Sequence, residues 1–233
     1  MQISVVVPAY NEAHRIRATI EKIIEFCTRE LSQWEVIVVD DGSSGDTEGA
    51  LRGLKGVRCL RNERNRGKGY SVRRGMLEAR FDPVLFTDAD LSTPIEDALA
   101  LHRAIEGGAD VAIGSRLPDP SKQVRRTALR KLMAVVFRLL VKVIAIRGFH
   151  DTQCGFKMFR RTAARDLFAA QKLEHWGFDV EILYLARRKK LKVVEVPVSY
   201  RESPESRLSF FTPLAMVRDL LQIRLHAIRG RYR

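Results

Sequence analysis

The feature that most constrains the fold is an alternation, through the first half of the chain, of short apolar runs with longer amphipathic stretches. "ISVVVP" (3–8), "WEVIVVD" (34–40), "VRCLRN" (57–62), "PVLFTD" (83–88) and "DVAIGS" (110–115) are runs of strand length, the first two richest in Val and Ile. Between them apolar residues fall at helical spacing. Ile16, Ile20, Ile23, Ile24 and Cys27 do so within residues 12–29, and further helical segments follow at about 46–54, 68–80 and 94–106. Runs without polar alternation belong to strands buried on both faces, and strand–helix–strand repetition gives a parallel sheet with helices on both sides. The expectation is an α/β chain with a mainly parallel, Rossmann-like sheet.

Sheets of this kind collect ligands at the carboxyl ends of their strands, and polar residues gather there. Pro8-Ala9-Tyr10-Asn11-Glu12 ends the first run, "DDGSSGDT" (40–47) the second, Asp88-Ala89-Asp90 the fourth and Gly114-Ser115-Arg116 the fifth. Polar groups from four strand ends on one edge read as a site. Asp88 and Asp90 flank a single residue, so an extended backbone turns both carboxylates to one face, where their repulsion calls for a cation. Mg²⁺ commonly takes one or two carboxylates and fills its shell with water and substrate phosphate. Such an ion neutralises the charge that grows on a nucleoside diphosphate leaving group. No Walker A sequence is present, and "NRGKGYSVRRG" (65–75) lacks the glycine spacing of a dinucleotide fingerprint, so NAD is not indicated. Its glycines precede a helix and let backbone amides approach a phosphate, with Lys68 adding charge.

The second half differs in character. Residues 124–147 read as a long helix in which Leu132, Val136, Leu139, Val143 and Ile146 dominate, with Lys131, Arg138 and Lys142 on one face. "DTQCGFKMFRR" (151–161) and then "HWGFDVEILYLARRKK" (175–190) read as a loop entering a helix. "LKVVEVPVSYRE" (191–202) reads as a strand, and 210–229 as a basic amphipathic helix. No repeat, low-complexity stretch or long linker interrupts the 233 residues, which are read as one domain.

The net charge of +13 is concentrated. Residues 116–147 carry nine Lys/Arg against Asp119, and 206–233 carry six Arg against Asp219, which accounts for the whole excess. Basic segments with apolar faces suit an anionic membrane surface. A nucleic-acid binder is disfavoured because the basic segments show no repeated pattern of interleaved aromatic residues. Cys27, Cys59 and Cys154 are odd in number and widely spaced, which fits neither a disulfide framework nor a zinc pattern. "MQISVVVPAYNE" has no basic n-region, and no uncharged apolar run reaches about 18 residues. The expected location is cytoplasmic, peripheral on the cytoplasmic face of a membrane, without signal peptide or spanning helix.

In their order and spacing, "VVVPAYNE", "VVDDGSSGDT", "NRGKGYSVRRGM", "DADLSTP" and "IGSR" resemble the family 2 inverting glycosyltransferases of the GT-A fold. More narrowly, "DTQCGFKMF", "HWGFDVEI" and "VPVSYRE" are similar to the dolichyl- or polyprenyl-phosphate glycosyltransferases, especially the glucosyl branch. The resemblance runs from about residue 3 to 210. It implies a nucleotide-sugar half (about 1–118) and an acceptor and membrane-surface half (about 119–233) with C-terminal amphipathic interfacial helices.

Residue by residue, it implies that Pro8, Ala9, Tyr10, Glu12, Asp40, Asp41, Gly42, Lys68, Asp88 and Ala89 bind the nucleotide sugar. Asp88 and Asp90 hold its diphosphate through Mg²⁺ or Mn²⁺. Relatives often place a Gln two positions after the second Asp, where this chain has Ser92, a weaker ligand. Arg116 and Arg130 match arginines that grip phosphates in mannosyl relatives, and both count with Asp90 and Asp179 among the expected catalytic residues. Arg116, Arg130, Asp151, Gln153, Gly155, Ser206 and Arg207 would line the acceptor side.

A hydroxyl acceptor needs a general base, for which Asp179 is the candidate, although it equally suits the positioning of sugar hydroxyls. A phosphate monoester, with a second pKa of about 6, is already an anionic nucleophile. The implied reaction is in-line attack by a polyprenyl phosphate oxygen on the anomeric carbon of UDP-glucose, with inversion. A GDP-mannose donor, a hydroxyl acceptor in a polysaccharide or glycolipid, and a homo-oligomeric state stay open at this point.

Overall fold

The computed structural model describes residues 1–116, 146, 148–201 and 212–232. Its strands are β1 (Gln2–Ala9), β2 (Gln33–Asp40), β3 (Val57–Arg61), β4 (Val84–Thr87), β5 (Val111–Ser115), β6 (Phe156–Phe159) and β7 (Val193–Pro197). The helices are α1 (Ile16–Glu30), α2 (Thr47–Leu51), α3 (Lys68–Glu78), α4 (Ala98–Glu106), α5 (Arg161–Ala170), α6 (Phe178–Arg188) and α7 (Thr212–Ile228), with a 3₁₀ turn at Ile95–Asp97 before α4. The sheet order is β3-β2-β1-β4-β6-β5-β7. Every pairing is parallel except those of β6, which runs antiparallel to both β4 and β5. The mainly parallel α/β expectation is met.

Burial explains why the first runs show no polar alternation. Val6, Ile37, Val39 and Phe86 face a core shared with Val72 and Met76 of α3 and with α5 and α6. Val5, Val7, Val36, Val38 and Leu85 face the opposite core, with Ile16, Ile20 and Ile23 of α1 and Leu101 of α4. Each such side chain contributes about 1.5–3 kcal/mol by leaving water, so neither face tolerates a polar substitution. Successive connections lead away from β1 toward β2 and β3 on one side and toward β4 on the other. That reversal opens a crevice at the carboxyl ends of β1 and β4, the usual ligand position in such sheets.

Several boundaries differ from the sequence expectation. The first helix starts at Ile16 rather than residue 12. Asn11 adopts φ 54°, and a turn follows in which the N–H groups of Arg15 and Ile16 donate to the Glu12 carbonyl at 3.0 and 2.8 Å. Residues 151–161 are not all loop, because Phe156–Phe159 forms β6, and α5 has no counterpart in the sequence expectation. The expected helix at 124–147 lies outside the described residues except for buried Ile146.

The basic helix at 210–229 appears as α7. Its inner side carries buried Asp219, Leu220 and Ile223, while Leu221, Leu225 and Ile228 are 55%, 41% and 83% exposed. Beyond α7 the chain folds back, and the Tyr232 hydroxyl donates to the buried Glu181 carboxylate at 2.6 Å.

Candidate active site

The Asp88-Ala89-Asp90 turn leaves β4 at the crevice and is fixed on several sides. Antiparallel pairing of Thr87 with Phe156 brings Gly155 across from Asp88, whose N–H donates to the Gly155 carbonyl at 3.2 Å. A Cβ on residue 155 would lie 2.0 Å from Asp88 Oδ2, so only glycine leaves room for that carboxylate. Thr19 of α1 donates its hydroxyl to the Ala89 carbonyl at 2.7 Å. Asp90 Oδ1 accepts from the Ser92 N–H at 3.0 Å, and the Ser92 carbonyl accepts from the Arg201 N–H at 2.8 Å.

A cation already sits on Asp88. Lys68, the first residue of α3, places Nζ 2.6 Å from Asp88 Oδ1, with the Trp176 and Phe86 rings 5.0 and 5.4 Å from the ammonium. Burial works against this charge, but Asp88 and Asp179 outweigh it and raise the lysine pKa. A second ammonium, on Lys157 of β6, donates to Asp179 Oδ1 at 2.5 Å and to the Cys154 carbonyl at 2.6 Å. Lys157 and Asp179 are 1% and 2% exposed. Burial pushes the Asp179 carboxyl above its ordinary value, and Lys157 and Lys68 pull it back. Both ammonium groups flank the Phe86 ring. Asp88, Lys68, Asp179 and Lys157 therefore form a group of alternating charge beneath the turn.

Three of the acceptor-side candidates, Arg116, Asp151 and Gln153, come together at the end of β5. Arg116 Nε and Nη2 donate to Asp151 Oδ2 and Oδ1 at 2.6 and 2.9 Å, and the Arg116 N–H adds a bond of 3.1 Å. Burial opposes ionisation of Asp151, but the Arg116 hydrogen bonds and charge prevail and hold its pKa below the ordinary range. Gln153 N–H donates to Asp151 Oδ1 at 3.2 Å. Among the described residues Gln153 Nε2 is a buried donor with no acceptor. Arg130, Ser206 and Arg207 lie outside the described residues.

The ends of β1 and β2 hold the nucleoside-side candidates. Pro8 and Ala9 are the last residues of β1 and pair with Val39 and Asp40. Tyr10 is exposed, whereas Glu12 is buried against Arg15. Asp40 and Asp41 are both buried. Asp40 Oδ1 accepts from the Ser43 N–H at 3.0 Å, and Arg61 lies 3.5 Å from Oδ2. Asp41 accepts from Asn62 Nδ2, the Arg66 N–H and the Gly67 N–H at 2.8, 3.0 and 2.8 Å. In this structure Asp41 thus braces the loop that delivers Lys68. Gly42, at φ +71°, packs directly on the Arg64 backbone.

Sequence reasoning missed Lys157 and the packing roles of Asn62 and Trp176. A lone lysine within an apolar run was the available signal for Lys157.

The donor set suits a hard divalent ion. Asp88 and Asp90 offer oxygen ligands at a point where the fold itself places a positive charge. Among the described residues no group of three or more His, Cys, Asp or Glu is arranged for a metal, and ions of this kind commonly complete their shell with substrate phosphate and water.

Residues 4–168 match the profile of glycosyl transferase family 2. The chain is 39% identical to a dolichyl-phosphate beta-glucosyltransferase of Drosophila melanogaster, over 100% of its own length and 77% of that protein. It is 35% identical to the Homo sapiens protein of the same name, over 100% and 78% of the two chains. Glucosyl-3-phosphoglycerate synthase of Mycobacterium tuberculosis superposes with a TM-score of 0.67 at 21% identity, covering 99% of this chain and 80% of that one. Its complex with Mn²⁺, uridine diphosphate and glucosyl-3-phosphoglycerate superposes with a TM-score of 0.64 at the same identity and coverage. The profile and the relatives at 35% and 39% identity show the family: the chain belongs to glycosyl transferase family 2.

Proposed function

We propose that the protein transfers glucose from UDP-glucose to dolichyl phosphate or a similar polyprenyl phosphate, with inversion at the anomeric carbon. The observation that carries this reading is the Asp88–Lys68 pair at the sheet's reversal point, beside the Arg116–Asp151 pair. Asp88 and Asp90 would hold Mg²⁺ or Mn²⁺, which neutralises charge on the departing UDP. Pro8, Ala9, Tyr10, Glu12 and Gly42 frame the nucleoside, with Asp40 and Asp41 supporting them from beneath. Arg116 turns part of its fork from Asp151 to the acceptor phosphate, and Gln153 Nε2 supplies a further donor. Gly155, Arg130, Ser206 and Arg207 complete the acceptor side in this reading.

Burial of Asp179 favours a phosphate acceptor over a hydroxyl. A carboxylate 2% exposed and bonded to Lys157 is badly placed to receive a proton from an incoming hydroxyl, and a phosphate has none to give up. Asp179 then serves by holding the two ammonium groups in place.

The test is sugar transfer to purified polyprenyl phosphate from labelled UDP-glucose, UDP-galactose, UDP-N-acetylglucosamine and GDP-mannose, each with Mn²⁺ or chelator. Label from UDP-glucose in an acid-labile lipid, lost with chelator, is the expected result. Donor binding without lipid labelling moves the acceptor to a hydroxyl, and absence of donor binding removes the reading.

Such an acceptor places the enzyme on a membrane, on the cytoplasmic face in this reading. No helix among the described residues is long and apolar enough to cross a bilayer. The outer face of α7 supports a peripheral position instead. Leu221, Leu225 and Ile228 recur at spacings of four and three, exposed Arg218, Arg224 and Arg229 border them, and the helix's acid, Asp219, is buried. Replacing the three apolar residues by Ser is expected to cut co-sedimentation with phosphatidylglycerol vesicles several-fold. Unchanged sedimentation would move the contact elsewhere, and a fall in molecular mass on light scattering would assign the face to a second copy of the chain.

A further inference from the structure

We propose that Lys68 is a built-in counter-cation, which holds the Asp88 carboxylate until the donor arrives and then moves onto the donor's diphosphate, so that nucleotide and divalent ion are taken up together. The inference rests on the reading above that the donor is a nucleoside diphosphate sugar bound with a divalent ion, and it couples the uptake of the two at that site.

Asp88 is the carboxylate that would receive the ion, and the ammonium lies 2.6 Å from its Oδ1. An ammonium and a divalent ion on one partly buried carboxylate repel each other strongly at such separations. For the ion to reach that oxygen, the ammonium has to swing away from it.

The surroundings allow that movement and define its range. The root of the side chain is pinned. Gly67, at φ +104°, donates its N–H to Asp41 Oδ2 at 2.8 Å, and a Cβ there would meet His175 Nδ1 at 2.4 Å. The Tyr70 N–H donates to the Glu174 carbonyl at 3.0 Å, which seats the start of α3 on the loop carrying Trp176. Beyond this fixed root lie four methylene groups, and the Trp176 and Phe86 rings attract the ammonium without imposing a directional bond. Lys157 makes the contrast. It is wholly buried and bonded to both Asp179 and the Cys154 carbonyl, so Asp179 keeps a partner when Lys68 departs. One lysine is fixed and structural, and the other is tethered and mobile.

Calorimetry, with Mn²⁺ resonance spectra as an independent readout, tests this without turnover. Mn²⁺ titrated alone is expected to bind Lys68→Met roughly tenfold more tightly than the wild-type chain, because its competitor is gone. UDP titrated in the presence of Mn²⁺ is expected to bind the same variant roughly tenfold more weakly, because a phosphate partner is gone. General damage to the site weakens both, so the opposite signs are diagnostic. Lys68→Gln repeats the measurement if the Met variant misfolds, and adding Asp88→Asn should remove the gain in Mn²⁺ affinity. Weaker or unchanged Mn²⁺ binding to the Lys68 variants, with UDP and Mn²⁺ still bound by the wild-type chain, overturns the inference and leaves the proposed function standing. Failure of the wild-type chain to bind UDP with Mn²⁺ overturns both.

Discussion

Asp88→Asn is expected to lower glucose transfer about a thousandfold, the scale of losing one preorganised electrostatic contact to a developing charge, and to leave the fold intact. Asparagine is the informative replacement because it keeps the shape that Gly155 accommodates, where even a methyl group on the neighbour would lie 2.0 Å from Oδ2. What it removes is charge. Asp88 is about one-third exposed, so its neutralisation costs little folding energy, and Lys68 retains the field of buried Asp179. The neutral side chain no longer offers an anionic ligand to a divalent ion, and charge on the departing UDP loses its compensation. The loss should fall on kcat with chelator-insensitive residual activity, and an unchanged unfolding midpoint should accompany it. Transfer within a few-fold of the wild-type rate would show that Asp88 does not face the diphosphate.

The sequence made the edge of this site legible for a physical reason. β1 and β2 hold runs of β-branched residues and β4 and β5 short apolar runs, each stopping at a polar cluster, and parallel strands present those stops on one edge. Asp88, Asp90, Lys68, Arg116 and Asp151 could be named from that pattern and the family resemblance. The floor of the site was not legible. "FKMF" hides β6 because a lysine interrupts an apolar run of four, and its charge is tolerated only through Asp179, which lies 22 residues further on in another element. Nothing in local spacing announces such a pair.

The surroundings of the acids were hidden for the same reason. Asp41 looked like a ligand-facing acid after β2, yet three donors between Asn62 and Gly67 converge on it. Asp179, named as a candidate base or a positioner of sugar hydroxyls, is among the most buried charges described. A carboxylate's position along the chain is written in the sequence, but which way it faces depends on partners that only tertiary contact supplies.

Lys157→Met is expected to cost about 3–5 kcal/mol of folding stability at neutral pH, the usual penalty for removing one partner of a buried ion pair. The thioether has nearly the volume of the lysine stem, so the loss is electrostatic and not a cavity. Asp179 would be left with only the more distant Lys68, and the Cys154 carbonyl would lose a bond of 2.6 Å. The double variant Lys157→Met with Asp179→Leu should recover most of the deficit, because removing both charges also removes the desolvation that the pair had to offset.

The sign of the pH dependence separates this account from simple mispacking. Burial already raises the Asp179 pKa above the ordinary aspartate value of 3.8, and loss of Lys157 raises it further. An acid whose folded pKa exceeds its unfolded one binds more protons when folded, so its contribution to stability falls as pH rises through that window. The deficit of Lys157→Met should therefore be full at neutral pH and shrink as pH falls toward 3.8, a trend that urea unfolding at several pH values will read. A deficit independent of pH would mean that the introduced thioether disturbs packing and that Asp179 carries no charge in the folded protein.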